Sequence, residues 1–504
     1  MEVLSSLGLG FSVALQPHNL AFCLIGVVLG TLLGVLPGLG PSAGIAILLP
    51  VTFGMDPVPA IIMLAGIYYG AMYGGTITSV LINVPGESAS VMTCLDGYQL
   101  ARQGRAGAAL GMAAISSFVA GTAGVVALMV LAPWLADFAV SFGPPEYFAL
   151  MLMGLSTVAG LVSGSPLKAL IMGVLGLMLG TVGYDVVTGR LRFTLGVPEL
   201  ADGVHFIIVA IGLFGVGEIL ASVEDRSHVV HIPRVSLSSV FPTVADWVAC
   251  RWAILRGTVV GFVVGVLPGA GATVASFLAY ALEKKASKHP EKFGAGAIEG
   301  VAAPEAANNA ASAGALVPLL TLGIPGSGAT AVLLGALIMY GVRPGPLLFD
   351  ARPDVAWGLI ASMYVGNLLL VILNIVFIPA FASVLRVPRA VLLPIILALC
   401  VVGAYSLNNS LFDVAMMVVF GALGYVANRY GYPAAPLVLA LVLGPMMETS
   451  FRQSLLISRG DLGIFVTRPL SAAMMAVAVA AIVIPAVASI ARSVGRRRLA
   501  RREV

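Results

Sequence analysis

Thirteen stretches of this 504-residue chain are apolar over roughly the 20 residues that a helix needs to cross a bilayer. They lie at 20–49, 57–82, 106–135, 145–163, 166–184, 203–221, 254–281, 311–340, 355–381, 390–407, 411–427, 432–447 and 472–490. Only 10% of the residues are Asp, Glu, Lys or Arg, and mean hydropathy is +1.03. A globule in water could not cover itself with so few charges. The connections are short, and none is long enough to form a soluble domain of its own. The chain is therefore expected to be an all-α polytopic membrane protein with about 11–13 embedded segments, some of them broken or re-entrant.

The charges that remain give a topology. Arg492, Arg496, Arg497, Arg498, Arg501 and Arg502 follow the last apolar run, which places the C-terminus in the cytoplasm. Residues 1–10 have no basic stretch and do not read as a cleavable signal. Cys23, Cys94, Cys250 and Cys400 are far apart in apolar surroundings, so neither a disulfide framework nor a zinc site is indicated. There is no phosphate-binding G-x-x-x-x-G-K-[ST] loop and no H-E-x-x-H, and the five histidines form no metal-ligating pattern. The sequence thus predicts no enzyme, no resident cofactor and no nucleic-acid partner; its surroundings are the lipid bilayer.

Within the apolar runs one pattern occurs twice. Residues 26–40 read GVVLGTLLGVLPGLG and residues 257–271 read GTVVGFVVGVLPGAG, so glycines at 26, 30, 34, 38 and 40 recur 231 positions later. A second match follows, Asn83-Val84-Pro85-Gly86-Glu87 against Gly323-Ile324-Pro325-Gly326-Ser327. The interval from the first motif to the second is 48 residues in one case and 57 in the other. The extra nine fall in the loop that carries Lys284, Lys285, Lys288 and Lys292. Two repeated halves are expected, 1–240 and 241–490, followed by a basic tail at 491–504. The lysine-free loop near Asp56 against this lysine-rich counterpart favours an inverted repeat. The loops at 97–105 and 341–353 carry two arginines each and point the other way.

Pro37-Gly38 and Pro268-Gly269 should break their helices, because proline lacks the donor and glycine admits dihedrals that other residues resist. Hydrocarbon does not tolerate the unpaired backbone groups so created, so each break faces protein or a watery cavity. Free amides at a half-helix start attract anions, and carbonyls at a half-helix end hold cations. The candidate substrate-binding residues are therefore Gly38, Gly40, Pro41 and Ser42 with Gly269, Gly271, Ala272 and Thr273. Asn83, Gly86, Gly326 and Ser327 of the second motif join them. Candidates for ion coupling or polar lining are Thr76, Thr78, Glu87, Glu305, Asn308 and Asn309. Glu305 and Asn309, four apart, share a helix face. The bland alternatives are small-residue helix packing for the glycines, a surface position for Glu87 and an interfacial helix for Glu305.

These segments resemble the large permease subunit of the tripartite tricarboxylate transporter family, the TctA family. The likeness rests on Gly26, Gly30 and Gly34 leading into Val35-Leu36-Pro37-Gly38-Leu39-Gly40-Pro41, on Tyr68 through Gly74-Gly75-Thr76 to Ser79, and on Asn83 to Ser88. In the second half it rests on Gly265 to Gly271, Pro304 to Asn309 and Gly323 to Ser327. The resemblance implies a bacterial inner-membrane permease that works with a small membrane subunit and a periplasmic solute-binding protein. It further implies import of a di- or tricarboxylate such as citrate, driven by a sodium or proton gradient, with Na+ a candidate coupling ion. The rival expectations are an ion or small-solute channel built on the same breaks and, third, an intramembrane enzyme.

Overall fold

The computed structural model describes residues 2–36, 39–161, 165–185, 188–224, 237–268, 271–384, 387 and 389–483. Helices dominate, and a single antiparallel pair of two-residue strands, Gly183–Tyr184 with Leu191–Arg192, accompanies them among the described residues. Among the described residues, eight helices are long and apolar enough to cross a membrane, and there are five shorter apolar helices. The protein is an all-α polytopic membrane protein. Its basic tail lies outside the described residues.

By contacts the chain forms two compact units, Met1–Val140 with Ile207–Val426, and Ser141–Phe206 with the chain from Ala427 onward. These follow packing, and they cut across the motif-based boundary near 240. In the second unit the helices Pro166–Gly180 and Ala435–Ile457 pack where Gly176 lets the Leu437 backbone approach. Arg468 pairs with the buried Glu146 at 2.6 Å, and Arg452 with Asp185 at 3.0 Å.

The first unit is built on two helix pairs. An approach helix, Pro17–Val35, lies against a long helix, Pro57–Ile82. Gly26, Gly30 and Gly34 form a stripe down one face, and a Cβ on any of them would land on the backbone of Met63, Ile67 or Ala71. Gly66, Gly70 and Gly74 of the long helix return the arrangement against the Val27 and Thr31 backbones. Without side chains between them the backbones meet directly, which is how helices gain dispersion contacts where lipid removes the hydrophobic drive.

A second approach helix, Val244–Val266, meets a second long helix, Glu299–Leu322, in the same way. Here Gly257, Gly261 and Gly265 face the backbones of Ala303, Ala307 and Ala311, each 240 positions after Met63, Ile67 and Ala71. The long helices are buried on all sides over Pro59–Leu81 and Gly300–Thr321. Such a helix belongs to an interior and not to a lipid boundary.

Each approach helix is followed by a break and a shorter helix, Pro41–Leu48 or Gly271–Ala286. The chain doubles back at the break. Leu33 touches the position of Gly44 in the first hairpin, and Arg256 makes two bonds of 2.7 and 2.8 Å to Glu283 in the second. The apolar runs 20–49 and 254–281 are thus helical hairpins. The run 311–340 is likewise divided, between Leu322 and Gly328.

Candidate functional site

The site begins where helices end. Leu36 and Leu267 leave the approach helices in extended conformation, with ψ of 117° and 119°. The next helices start at Pro41, after an extended Gly40, and at Gly271, whose φ is +62°. Gly38 and Gly269 fall outside the described residues. Past the long helices the chain turns through Asn83 and Gly323, both left-handed, with φ of 56° and 69°. Such a residue is a standard helix stop, and asparagine tolerates it nearly as well as glycine.

After these stops the chain folds onto the breaks. Glu87 N–H donates to Ser90 Oγ at 3.4 Å, and Ser327 N–H to Thr330 Oγ1 at 2.8 Å, so both loops are closed by the same turn. The Glu87 Cβ lies 3.6 Å from the side-chain position of Gly40, and the Ser327 Cβ 3.8 Å from that of Gly271. Across the halves Ser88 Oγ stands 2.7 Å from Thr273 Oγ1, and Ser276 Oγ donates to the Ala89 carbonyl at 2.7 Å.

Glu305 sits one layer further in, fully buried. Thr93 Oγ1 donates to its Oε1 at 2.5 Å; Asn308 Nδ2 and Ser117 Oγ reach its Oε2 at 3.3 and 3.5 Å. Thr76 stands on its side without completing a hydrogen bond. Asn309 Nδ2 donates to Ser117 Oγ at 2.8 Å and to the Glu305 carbonyl at 3.1 Å. Glu87, also buried, packs over Gly75, the neighbour of Thr76, and its Oε1 has no partner. Neither carboxylate takes part in an ion pair among the described residues. An isolated buried charge is costly, so a proton or a cation must offset each one.

The structure therefore gathers Gly40, Glu87, Ser88, Gly271, Thr273 and Ser327 at the breaks, and Thr76, Glu305, Asn308 and Asn309 behind them. Pro41 and Ala272 are buried in the first turns of the shorter helices, with Ser42 half-buried beside Pro41. Gly86 is engaged in packing: its N–H donates to Gly75 O at 3.4 Å, and it presses on the Gly34 carbonyl. Gly326 presses likewise on Ala315 and Gly265, and Thr78 Oγ1 donates to Gly75 O. Asn83 is exposed at its helix stop.

Sequence reasoning missed Thr93, Ser117 and Asp96. Asp96 Oδ1 accepts the N–H groups of Gly294, Gly296 and Ala297 at 2.8–2.9 Å, and Tyr280 Oη donates to Oδ2 at 2.8 Å. The glycine-rich run 294–296 was the available signal, since only a bare, bent backbone aims three amides at one oxygen.

The sequence matches the model of the tripartite tricarboxylate transporter TctA family over residues 20–439. The chain belongs to that family. This TctA-family chain is 50% identical over 491 residues to "Uncharacterized 52.8 kDa protein in TAR-I ttuC' 3'region" of Agrobacterium vitis, covering 97% of each. It is 47% identical over 230 residues to "Uncharacterized protein in TAR-II ttuC' 3'region" of the same organism, which covers 46% of this chain and 95% of that protein. No solved structure matches. Family membership makes this a transporter permease.

Proposed function

We propose that this chain is the large permease subunit of a binding-protein-dependent secondary transporter of the bacterial inner membrane. It imports a di- or tricarboxylate such as citrate, with a small membrane subunit and a periplasmic binding protein as partners. The single observation that carries the reading is the position of Glu305. A fully buried carboxylate held only by neutral donors lies directly behind the place where one half's Ser88 meets the other half's Thr273.

In this reading the solute is held at the breaks, by hydroxyls and by the amides of the shorter helices. A sodium ion or proton joining Glu305 offsets part of the solute's charge and supplies the driving force. Movement of one hairpin against the other then exposes the solute to the second side. The test is uptake of labelled citrate, and of a panel of other di- and tricarboxylates, into sealed liposomes that hold the permease and its small subunit. Saturable uptake that needs the binding protein and a sodium or proton gradient is expected. Uptake that needs ATP, or currents that need no binding protein, would overturn the reading.

A further inference from the structure

Two hydroxyls of the first long helix, Tyr69 Oη and Thr76 Oγ1, are buried with no hydrogen-bond partner. Each borders a cavity. Tyr69 shares one of about 250 Å³, its mouth included, with Asn309, Ser312 and Asn367. Thr76 shares one of about 240 Å³ with Tyr73, Ser117 and Asn374. Most of each volume is open mouth, and the enclosed part has room for about one water.

The partition between them consists of two side-chain bonds. Tyr73 Oη donates to Asn367 Oδ1 at 3.2 Å, and Asn309 Nδ2 to Ser117 Oγ at 2.8 Å; each bond has one member in either cavity. Ser117, in the wall of the second cavity, also reaches Glu305 Oε2 at 3.5 Å, so one hydroxyl separates that space from the carboxylate. None of the break residues lines either space. A buried hydroxyl left unpaired costs about 1–3 kcal/mol. A small polar cavity with two to four polar neighbours is what an internal water occupies.

We infer that each cavity holds one small guest bound by neutral polar groups, a water molecule or a monovalent cation, and that the two sites form a side route by which the coupling ion reaches Glu305 apart from the solute. Along this route a proton passes between waters, and a sodium ion takes a water's place. The inference rests on the reading of Glu305 as the coupling carboxylate.

Tyr69→Phe removes one oxygen and nothing else. Gly121→Ala places a methyl 2.5 Å from the Asn367 amide, inside the first cavity. Exchange of labelled for unlabelled citrate cycles the loaded permease without releasing its ion, whereas accumulation down an ion gradient needs ion entry and exit. In liposomes carrying all partners, both variants should exchange citrate within about twofold of wild type while gradient-driven accumulation falls about tenfold. Radiolabelled sodium entry or internal acidification should fall with it, and the one that falls identifies the ion. Exchange and accumulation that are both unchanged, or both lost alike, would overturn the route. Independently, a wild-type map that resolves waters should show density bonded to Tyr69 Oη and Thr76 Oγ1; empty cavities overturn the inference whatever the transport assays give. A wild type that accumulates no carboxylate under any gradient overturns the transport reading instead.

Discussion

Ser88 Oγ and Thr273 Oγ1 stand 2.7 Å apart across 185 residues of sequence, and they join the loop after one long helix to the first turn after the other half's break. If transport moves the second hairpin, which carries Thr273, against the first hairpin together with the long helix and loop packed on it, this contact must open. Replacing both with cysteine, in a background where the nearby Cys94 is changed to alanine, should let an oxidant cross-link them, because the other native cysteines are buried. Citrate uptake is expected to stop on oxidation and return with reductant. Full uptake by the cross-linked protein, seen beside a shifted band on a non-reducing gel, would sink the moving-hairpin mechanism.

Glu305→Gln keeps the shape of the side chain and removes its charge. The one remaining oxygen can face Asn308 and Ser117 while the new NH2 donates to the Thr93 hydroxyl, which turns to accept, so the fold should hold, and thermal unfolding in detergent is expected to stay close to wild type. Gradient-driven uptake should fall by roughly a hundredfold, since the site no longer binds the coupling ion. Normal accumulation by a well-folded Glu305→Gln variant would remove Glu305 from the mechanism.

The glycine stripe gives a stability prediction with its own control. A Cβ at Gly70 would stand 2.5 Å from the Val27 carbonyl oxygen and 2.8 Å from the Thr31 nitrogen, and neither backbone can move aside alone. Gly70→Ala should therefore destabilise by about 1–3 kcal/mol. Nothing lies within 4 Å of the side-chain position of Gly8, so Gly8→Ala should stabilise its helix by about 0.5–1 kcal/mol. Unfolding midpoints in one detergent check both, and equal shifts would disprove the close backbone contact.

The parts of this protein that were legible in sequence are those set by local rules. Pro37 and Pro268 forbid a continuous helix, and the helices do stop at Val35 and Val266. Glycines four apart mark a helix face whatever it packs against, and that face is the packed one. The partner was harder to see. In the first pair it is a second glycine stripe at 66, 70 and 74, and in the second it is alanine at 303, 307 and 311, which in this alanine-rich chain looks like background. Thr93 with Glu305, 212 residues apart, left no sign at all, because a single tertiary hydrogen bond imposes no period on either strand of sequence. Glu87 was open between surface and interior for a related reason: its depth is fixed by Gly75 and Gly40, which give it room only once the chain has folded back.

Asp96 shows the same limit and gives the last prediction. It is fully buried, and its Oδ1 collects three amides from the loop that precedes the second long helix. Gln103 Nε2 adds a bond to the Ala295 carbonyl at 2.8 Å, so the same loop is held at a second point, just past the end of the helix Val91–Arg102. Removing the carboxylate leaves buried donors without an acceptor, a larger loss than that of an ordinary exposed hydrogen bond. Asp96→Ala should destabilise by on the order of 3 kcal/mol, with Asp96→Asn intermediate because one oxygen remains. Hydrogen exchange at Gly294, Gly296 and Ala297 should quicken by at least about tenfold in Asp96→Ala while the amides of Glu299–Leu322 stay protected. Unchanged exchange at those three amides would mean that the loop is held by its lysine-rich flank or its own turns, and that the bonds from Asp96 contribute little to its placement.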